Sequence, residues 1–351
     1  MSAPHITLPS GFKIGPGNPC FLVAEIGNNH QGKLELAKEM VLAAAEAGIN
    51  GVKFQKRDVD ALLNDEGKKM PYTGPNSFGP TYGEHRVALE LSVAEMAELR
   101  TLTHKLGMVF FASAWDHVSV GHMDQIGWDI AKICSADLVN IPMLRQIGAM
   151  QIPVILSTGM STWEQVDRAV AELCAFHNQI ILLHCNSSYP CPEEEIGLPV
   201  MDEMRRRYGL PVGYSGHERG FAPTLAAVAR GACVIERHVT LNKNLPGTDH
   251  QVSLEPDQLR DLVTMIREVE RAMQVTEKQI FAKESQAAAK LRKSIVAARD
   301  LSANTILTAA DLAVKSPGTG LSPLLWDTIV GKTLKTSLSK DAQLQTEHIA
   351  G

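Results

Sequence analysis

The sequence predicts a parallel (β/α)8 barrel, the TIM-barrel class, followed by a small β-rich domain. Three observations carry this prediction. Between residues 21 and 273, eight short apolar runs alternate with longer segments of helical periodicity. Each connection is long enough for a right-handed crossover. Eight such units in about 250 residues suit a closed parallel barrel. The open doubly wound alternative would want a Gly-rich turn after the first strand, and Glu25-Ile-Gly-Asn-Asn-His30 is not G-x-G-x-x-G.

The elements follow in order. Phe21–Gly27 reads as the first strand and residues 34–47 as an amphipathic helix. A second strand at 51–55 leads through a loop at 71–83 to a helix at 93–106. Strands at 108–114, 130–135, 153–158, 180–186, 211–215 and 233–240 complete the eight. The clearest later helices are 163–176, 198–208, 221–230 and 256–273. The pattern then changes. Residues 278–293 form a charged, Ala-rich connector, and short β-like pieces follow at 294–298, 333–336 and 343–344. Turn signals such as Pro317-Gly318 and Ser322-Pro323 divide them. The expected division is therefore a barrel over 1–275, a linker over 276–290 and a second domain over 291–351. The last is near the size where a core alone is marginal.

Composition narrows the function classes. A net charge of -5 gives no broad electrostatic reason to expect nucleic acid or an anionic membrane. No stretch of about 18 apolar residues suggests a membrane span. Residues 1–18 lack the basic and apolar regions of a secretory leader. The six cysteines show no C-x-x-C spacing and several sit in apolar strand-like runs, so reduced thiols in a cytoplasmic protein are expected rather than a disulfide framework.

Polar residues recur where the strands stop, which is where a parallel barrel places its active site. They include Glu25, Lys53, Gln55, Ser113, Lys132, Ser135, Asp137, Ser157, Ser187, Tyr189, Ser215, His217, Glu236 and His238. A single serine at a strand end serves equally well to cap the next helix. Lysine is harder to set aside, because buried Lys needs a partner. Lys53 and Lys132 inside apolar strands imply an anion between them, and with several hydroxyls they suit a small phosphorylated acid. His217 and His238 end successive strands. They read either as an open metal site, with imidazole plus oxygen ligands compatible with Mn or Zn, or as hydrogen-bonded core histidines. Glu25 is either an acid/base group or the partner of a nearby lysine.

The chain resembles the sialic acid synthases (N-acetylneuraminate synthases) over nearly its full length. The motifs are Ala24-Glu-Ile-Gly-Asn-Asn-His-Gln-Gly32, Val52-Lys-Phe-Gln55, Thr81-Tyr-Gly-Glu-His85, Leu156-Ser-Thr-Gly-Met160, Gly213-Tyr-Ser-Gly-His217, Ile235-Glu-Arg-His-Val-Thr240 and Pro246-Gly-Thr-Asp249. Leu291-Arg-Lys-Ser294 and the run from Asn304 to Leu312 resemble that family's antifreeze-like (SAF) domain. The resemblance implies condensation of phosphoenolpyruvate with the open-chain aldehyde of N-acetylmannosamine, its 6-phosphate or a related N-acylated sugar. The product is a nine-carbon 3-deoxy-2-keto acid, and phosphate leaves by C–O cleavage. It further implies that Lys53, Ser113, Lys132, Ser135, Ser157, Ser187 and Ser215 cradle phosphoenolpyruvate, and that His217 and His238 hold a Mn-type ion, with Mg or Co as other choices. Glu25, Asp137 and Asp249 would manage protons and sugar hydroxyls, with Gln55, Tyr189, Lys315 and Ser316 on the sugar. A domain-swapped homodimer is implied as well.

Two departures stand out. Ser316 occupies the place where bacterial relatives taking the unphosphorylated sugar commonly have an arginine. The fourth-strand motif reads Lys132-Ile-Cys-Ser-Ala-Asp137, with Cys134 and Ala136 in place of glycines. Both bear on which sugar is used, including the legionaminic and pseudaminic acid series. Three other readings are a Schiff-base aldolase using Lys53 or Lys132, a metal-dependent barrel hydrolase, and a carbohydrate-binding protein. The hydrolase would want an H-x-H on the first strand, which Ala24-Glu-Ile-Gly lacks, and the binding protein would not retain Lys53, Lys132, His217 and His238 together.

Overall fold

The computed structural model describes residues 4–350, which divide into one compact unit running to Gln274 and a second from Val275. In the first, two short strands, β1 (Ile6–Thr7) and β2 (Lys13–Ile14), pair antiparallel. Eight parallel strands then close a barrel: β3 (Phe21–Gly27), β4 (Gly51–Lys56), β5 (Val109–Ala114), β6 (Ala131–Ile133), β7 (Val154–Ser157), β8 (Ile180–Cys185), β9 (Val212–Gly216) and β10 (Val234–His238). β10 returns to β3 in register, with Val234 opposite Phe21 and His238 opposite Glu25.

Strand side chains alternate between two faces, and here each face has a distinct composition. Leu22, Ala24 and Ile26 of β3 face outward into the layer shared with the helices. The helix Trp163–Cys174 shows how that layer is built. Thr162 and Gln165 form a capping box at its start, and Val166, Ala169, Val170 and Leu173 recur on one face and are buried. The inward positions run from apolar at the strand starts to polar at their ends. Phe21, Val23, Val109, Phe111, Ile130, Ile155, Ile181, Leu183 and Val234 fill the floor together with Ile6, Leu8 and Ile14 of the β1–β2 ribbon. One or two positions further along the same faces come Glu25, Lys53, Ser113, Lys132, Ser157, Ser215, Glu236 and His238, all buried. The period-two pattern thus delivers every one of these groups to one end of the barrel.

Two local expectations change. Strand 130–135 is shorter, because Ser135–Asp137 turns into a 3-10 helix. There the Cys134 thiol donates to Asp137 Oδ2 at 3.1 Å and Asn140 Nδ2 donates to Oδ1 at 3.2 Å. Around the expected loop at 71–83 the chain forms short helices at Val59–Leu62, Asp65–Lys69 and Tyr82–Ala88, capped by Asp58, Asn64 and Thr81. Pieces this short carry no legible periodicity, and their caps are the only signal.

Asn29 and His30, at the end of β3, fasten the fold. Asn29 Nδ2 donates to the Val239 carbonyl (2.8 Å) and to Ser253 Oγ (2.9 Å). His30 Nδ1 accepts the Gly32 N–H at 3.1 Å. Burial pushes the His30 imidazole from 6.5 down to about 4. Above pH 6.5 it is neutral folded or unfolded and adds no pH dependence. Between 6.5 and about 4 only the unfolded chain takes up the proton, so stability falls with pH and levels off below. His30→Gln is therefore expected to reduce the loss between pH 7.5 and pH 5 by roughly 2 kcal/mol, read from urea unfolding of both proteins at both pH values. An unchanged loss would refute the assignment.

The second unit begins with a helix, Ala282–Leu291, so the expected linker is largely helical. β11 (Ser294–Ala297) pairs antiparallel with β12 (Leu312–Lys315). Single bridges at Val296–Gln343, Ile306–Thr333 and Leu334–Ile349 tie in the other short pieces. Ile295, Ala297, Leu301, Leu307, Leu312, Ile329, Leu334 and Leu344 form its own core. Among the described residues, no helix is long and apolar enough to cross a membrane.

Candidate active site

At the barrel mouth, Glu25, Lys53, Ser113, Lys132, Ser135, Ser157, Ser187, Tyr189, Ser215, His217, Glu236 and His238 line one cavity of about 260 Å3. Its base is a charged cluster. Lys53 Nζ lies 2.6 Å from Glu25 Oε2 and 3.7 Å from Glu236 Oε1, while Lys132 Nζ lies 3.8 Å from the same Glu236 oxygen. The anion that two buried lysines demand is thus partly internal. Burial pushes the Glu236 carboxyl up, but Lys132 and Lys53 outweigh it and hold the group ionised, at about 2. For Glu25 burial wins over Lys53, and its carboxyl is raised. Burial works against the Lys53 charge too, yet two carboxylates keep that ammonium protonated. Lys132 has only the more distant Glu236, so burial and the Lys53 charge lower it. Glu25 thus pairs with a lysine, as one of the two readings had it, while burial favours the protonated form of its carboxyl.

Hydroxyls surround the cluster. Lys53 Nζ donates to Ser113 Oγ at 3.3 Å, Lys132 Nζ donates to Ser157 Oγ at 2.8 Å, and Ser215 Oγ donates to Glu236 Oε1 at 3.1 Å. Ser135 Oγ accepts the Gly159 N–H at 3.0 Å. A Cβ on Gly159 would lie 2.5 Å from Ser187 Oγ and 2.9 Å from Ser135 Oγ, so only glycine lets these two hydroxyls approach the backbone. Cys134 lines the same wall, with its thiol pushed up to about 12 by burial and Asp137; it is protonated and unreactive.

The two imidazoles stand at the rim with ring centroids 5.3 Å apart. His217 Nδ1 donates to the Asn186 carbonyl at 2.5 Å, which leaves Nε2 as a free lone pair. His238 Nδ1 is buried without a hydrogen-bond partner, 3.8 Å from Asp249 Oδ2. Burial first, and for His217 its neighbour His238 second, lower both pKa values, to about 4 for His217. Two neutral rings with unused nitrogens fit the soft side of a divalent metal site. Among the described residues, no cluster of three or more His, Cys, Asp or Glu side chains forms elsewhere or here. His217 and His238 thus stand as a pair, with no third such side chain among the described residues placed to complete a metal-binding group.

A second cavity of about 220 Å3 adjoins the first and shares Gln55, Trp115, Tyr189 and His238 with it; Asp249 lies on its wall. Gln55 Nε2 donates to Glu25 Oε1 at 3.0 Å. Several expected residues are placed otherwise. Asp137 is bound to Cys134 and Asn140 and does not line the reaction cavity, so it loses the catalytic part expected of it. Arg237, adjacent to His238, points to the other side of β10. There its guanidinium meets Glu218 (3.1 Å) and Thr224 (2.8 Å), and Tyr214 also donates to Glu218 (2.8 Å). Lys315 and Ser316 belong to the second unit, where Lys315 pairs with Asp341 and Ser316 accepts from Lys293 Nζ at 2.8 Å.

A family model for the NeuB family matches residues 40–278, and one for the SAF domain matches 292–350. The chain belongs to the NeuB family. It is 37% identical to human N-acetylneuraminate-9-phosphate synthase, over 98% of this chain and 96% of that protein. It is also 37% identical to N,N'-diacetyllegionaminic acid synthase of Legionella pneumophila, over 95% and 96%. The crystal structure of N-acetylneuraminic acid (sialic acid) synthetase from Leptospira borgpetersenii, in complex with citrate, superposes with a TM-score of 0.71 at 33% identity, covering 81% of this chain and 95% of that one.

Within this NeuB-family barrel, residue-by-residue reading of the sequence assigned no role to Glu236, Arg57 or Trp115. Glu236 had a signal: two positions before His238 on a strand, it shares that residue's inward face. Arg57 stacks on the Trp115 ring at 4.3 Å and its Nη1 donates to Asn28 Oδ1 at 3.0 Å, contacts between distant loops that no local pattern announces. The Arg237–Glu218 pair is buried at both ends. Glu218→Ala is accordingly expected to destabilise the protein by about 3–5 kcal/mol, by stranding the guanidinium; a urea midpoint unchanged from wild type would refute this.

Proposed function

We propose that this barrel condenses phosphoenolpyruvate with the open-chain aldehyde of an N-acylated mannosamine-type sugar, giving a nine-carbon 3-deoxy-2-keto acid and phosphate. The observation that carries the reading is the Lys53–Lys132 pair with its serines, set beside two neutral histidines that have free nitrogens. Lys53, Lys132, Ser113, Ser157 and Ser215 hold the carboxylate and phosphate of phosphoenolpyruvate, with Ser135 and Ser187 at the phosphate. His217 and His238 hold a divalent ion, Mn by preference, which when bound supplies Lewis-acid polarisation of the aldehyde oxygen. As C3 bonds to the aldehyde carbon, a water adds to C2 and gives a proton to the Glu25 carboxylate, which passes it to the new hydroxyl oxygen. The C2–O bond to phosphorus then breaks, and phosphate leaves with the remaining proton.

Gln55, Tyr189 and Asp249 line the sugar's side of the cavity. Lys315 and Ser316 are assigned to the N-acyl end on the strength of the resemblance alone. A homodimer accords with three exposed apolar side chains on the second unit, Leu291, Ile306 and Leu324, and light scattering decides its mass. A cytoplasmic setting accords with the six cysteines all being free thiols.

A phosphate-release assay with phosphoenolpyruvate and a panel of N-acylated hexosamines, with mass spectrometry of the products, tests the reaction. Release without a nine-carbon acid would sink the proposal. One observation favours a second reading: burial lowers the Lys132 ammonium, as Schiff-base lysines require. Borohydride trapping with pyruvate distinguishes the two, a covalent Lys132 adduct supporting the aldolase.

A further inference from the structure

We propose that Arg57 is a positioning residue for the condensation: its guanidinium fixes which end of the Gln55 amide faces Glu25, and so holds the Glu25 carboxyl in place beside Lys53. The inference rests on the condensation reading and adds a residue to its machinery. Gln55 lines both cavities at the barrel mouth. Glu25 and Lys53 line the one of about 260 Å3, and Arg57 lines the one of about 220 Å3. Gln55 is therefore the side chain through which Arg57 can reach the chemistry.

Chemistry sets the polarity of the contact. A guanidinium only donates, whereas an amide offers an oxygen on one side and an NH2 on the other. Arg57 Nη2 donates to Gln55 Oε1, so the amide oxygen is turned to Arg57. The amide nitrogen is thereby turned to Glu25, where Nε2 donates to Oε1 at 3.0 Å. The other carboxyl oxygen, Oε2, lies 2.6 Å from Lys53 Nζ. The carboxyl plane is thus held at both oxygens, and one of the two holds traces back to Arg57. With the amide turned over, its NH2 would face the guanidinium and its oxygen would face Glu25. Donor would meet donor, and acceptor would meet acceptor.

Arg57 is itself held firmly. It is buried, and its Nη1 donates to Asn28 Oδ1 at 3.0 Å, just after β3, and to Glu90 Oε1 at 3.4 Å. Its guanidinium face lies over Trp115, just after β5, and its backbone N–H is accepted by Glu90 Oε2 at 3.0 Å. Edges and face are fixed from separate segments of the chain, which preorganises the fork. Gly27 makes room on the other side of the relay. A Cβ there would lie 3.1 Å from Glu25 Oε1 and 3.2 Å from Gln55 Nε2, at the hydrogen bond itself, and a φ of +56° suits glycine. A purely structural clasp would be complete with Asn28, Glu90 and Trp115. The contact to Gln55 is the one that reaches a reacting group, where a displacement of about 1 Å can cost roughly 10^2-fold in rate.

The test is a double-mutant cycle on the full-length protein. It reads kcat for phosphate release, per folded protein, with phosphoenolpyruvate and the best acceptor of the sugar panel. Arg57→Met should lower kcat about 10-fold or more, with KM for phosphoenolpyruvate unmoved. Arg57→Lys, which keeps a donor but not the fork, should recover part of the loss. Gln55→Leu should lower kcat as well. Because Arg57 acts through Gln55, adding Arg57→Met to Gln55→Leu should cost no more than about 2-fold further, the scatter of such cycles. If Arg57→Met fails to fold, Arg57→Lys takes its place in the cycle. A clasp that is only structural, or an Arg57 that touches the sugar directly, gives its full loss in the Gln55→Leu background too. That result overturns the positioning role and leaves the condensation standing, as does Arg57→Met with wild-type kcat. No phosphate release by the wild-type protein with any sugar of the panel overturns the condensation reading and this role with it.

Discussion

His217→Ala and His238→Ala are each expected to lower turnover by at least about 10^2-fold while the protein stays folded. Losing an outer-sphere partner of a metal typically costs about 10–100-fold, and losing a ligand itself costs at least as much. Folding should survive because neither ring supports much else: His238 Nδ1 has no partner, and His217 makes one hydrogen bond, to the Asn186 carbonyl. Stranding that carbonyl costs about 1–3 kcal/mol, less than the roughly 5–15 kcal/mol by which a folded domain is ordinarily stable. Metal titration by calorimetry gives a readout independent of activity: wild-type protein should take up Mn, and either variant should bind it more weakly. Full activity after exhaustive chelation would refute the metal role, and so would alanine variants with wild-type turnover.

Lys53→Met is expected to damage both fold and chemistry. Its ammonium is the shared counter-charge of Glu25 at 2.6 Å and Glu236 at 3.7 Å, both buried. Removing it leaves Glu25 without a cation and Glu236 with Lys132 alone, at 3.8 Å. Breaking a buried pair in this way costs about 3–5 kcal/mol. Part of that is recovered because Glu25, already raised by burial, can take up a proton. Turnover with phosphoenolpyruvate should fall by roughly 10^2–10^3-fold, the range for losing one preorganised electrostatic contact. Lys132→Met offers the contrast. It leaves the tighter Lys53–Glu25 pair in place and should lose comparable activity with a smaller shift in the urea midpoint. Equal midpoints for the two variants would contradict the charge arrangement described for the barrel mouth.

The barrel and most of its mouth were legible because strand alternation is a local rule. Glu25, Lys53, Ser113, Lys132, Ser157 and Ser215 sit on inward faces at strand ends, so counting by two along eight runs brings them together. The same counting would have placed Glu236 inside and Arg237 outside. Asp137 was misplaced for a related reason: the strand it was expected to follow ends early and turns, and its carboxylate is held by Cys134 and Asn140.

By itself the sequence determined the eight-stranded barrel, the lysine and serine set, the two histidines and the separate second unit. Those follow from periodicities of two and about 3.6 and from residue types that burial makes rare. Only the tertiary structure decided what the buried charges do for one another. Glu236 supplies part of the anion that Lys53 and Lys132 called for, Arg57 stacks on Trp115, and Arg86 reaches the wall of the cavity beside the barrel mouth. Such pairings depend on distances between loops far apart in the chain, which no local pattern encodes.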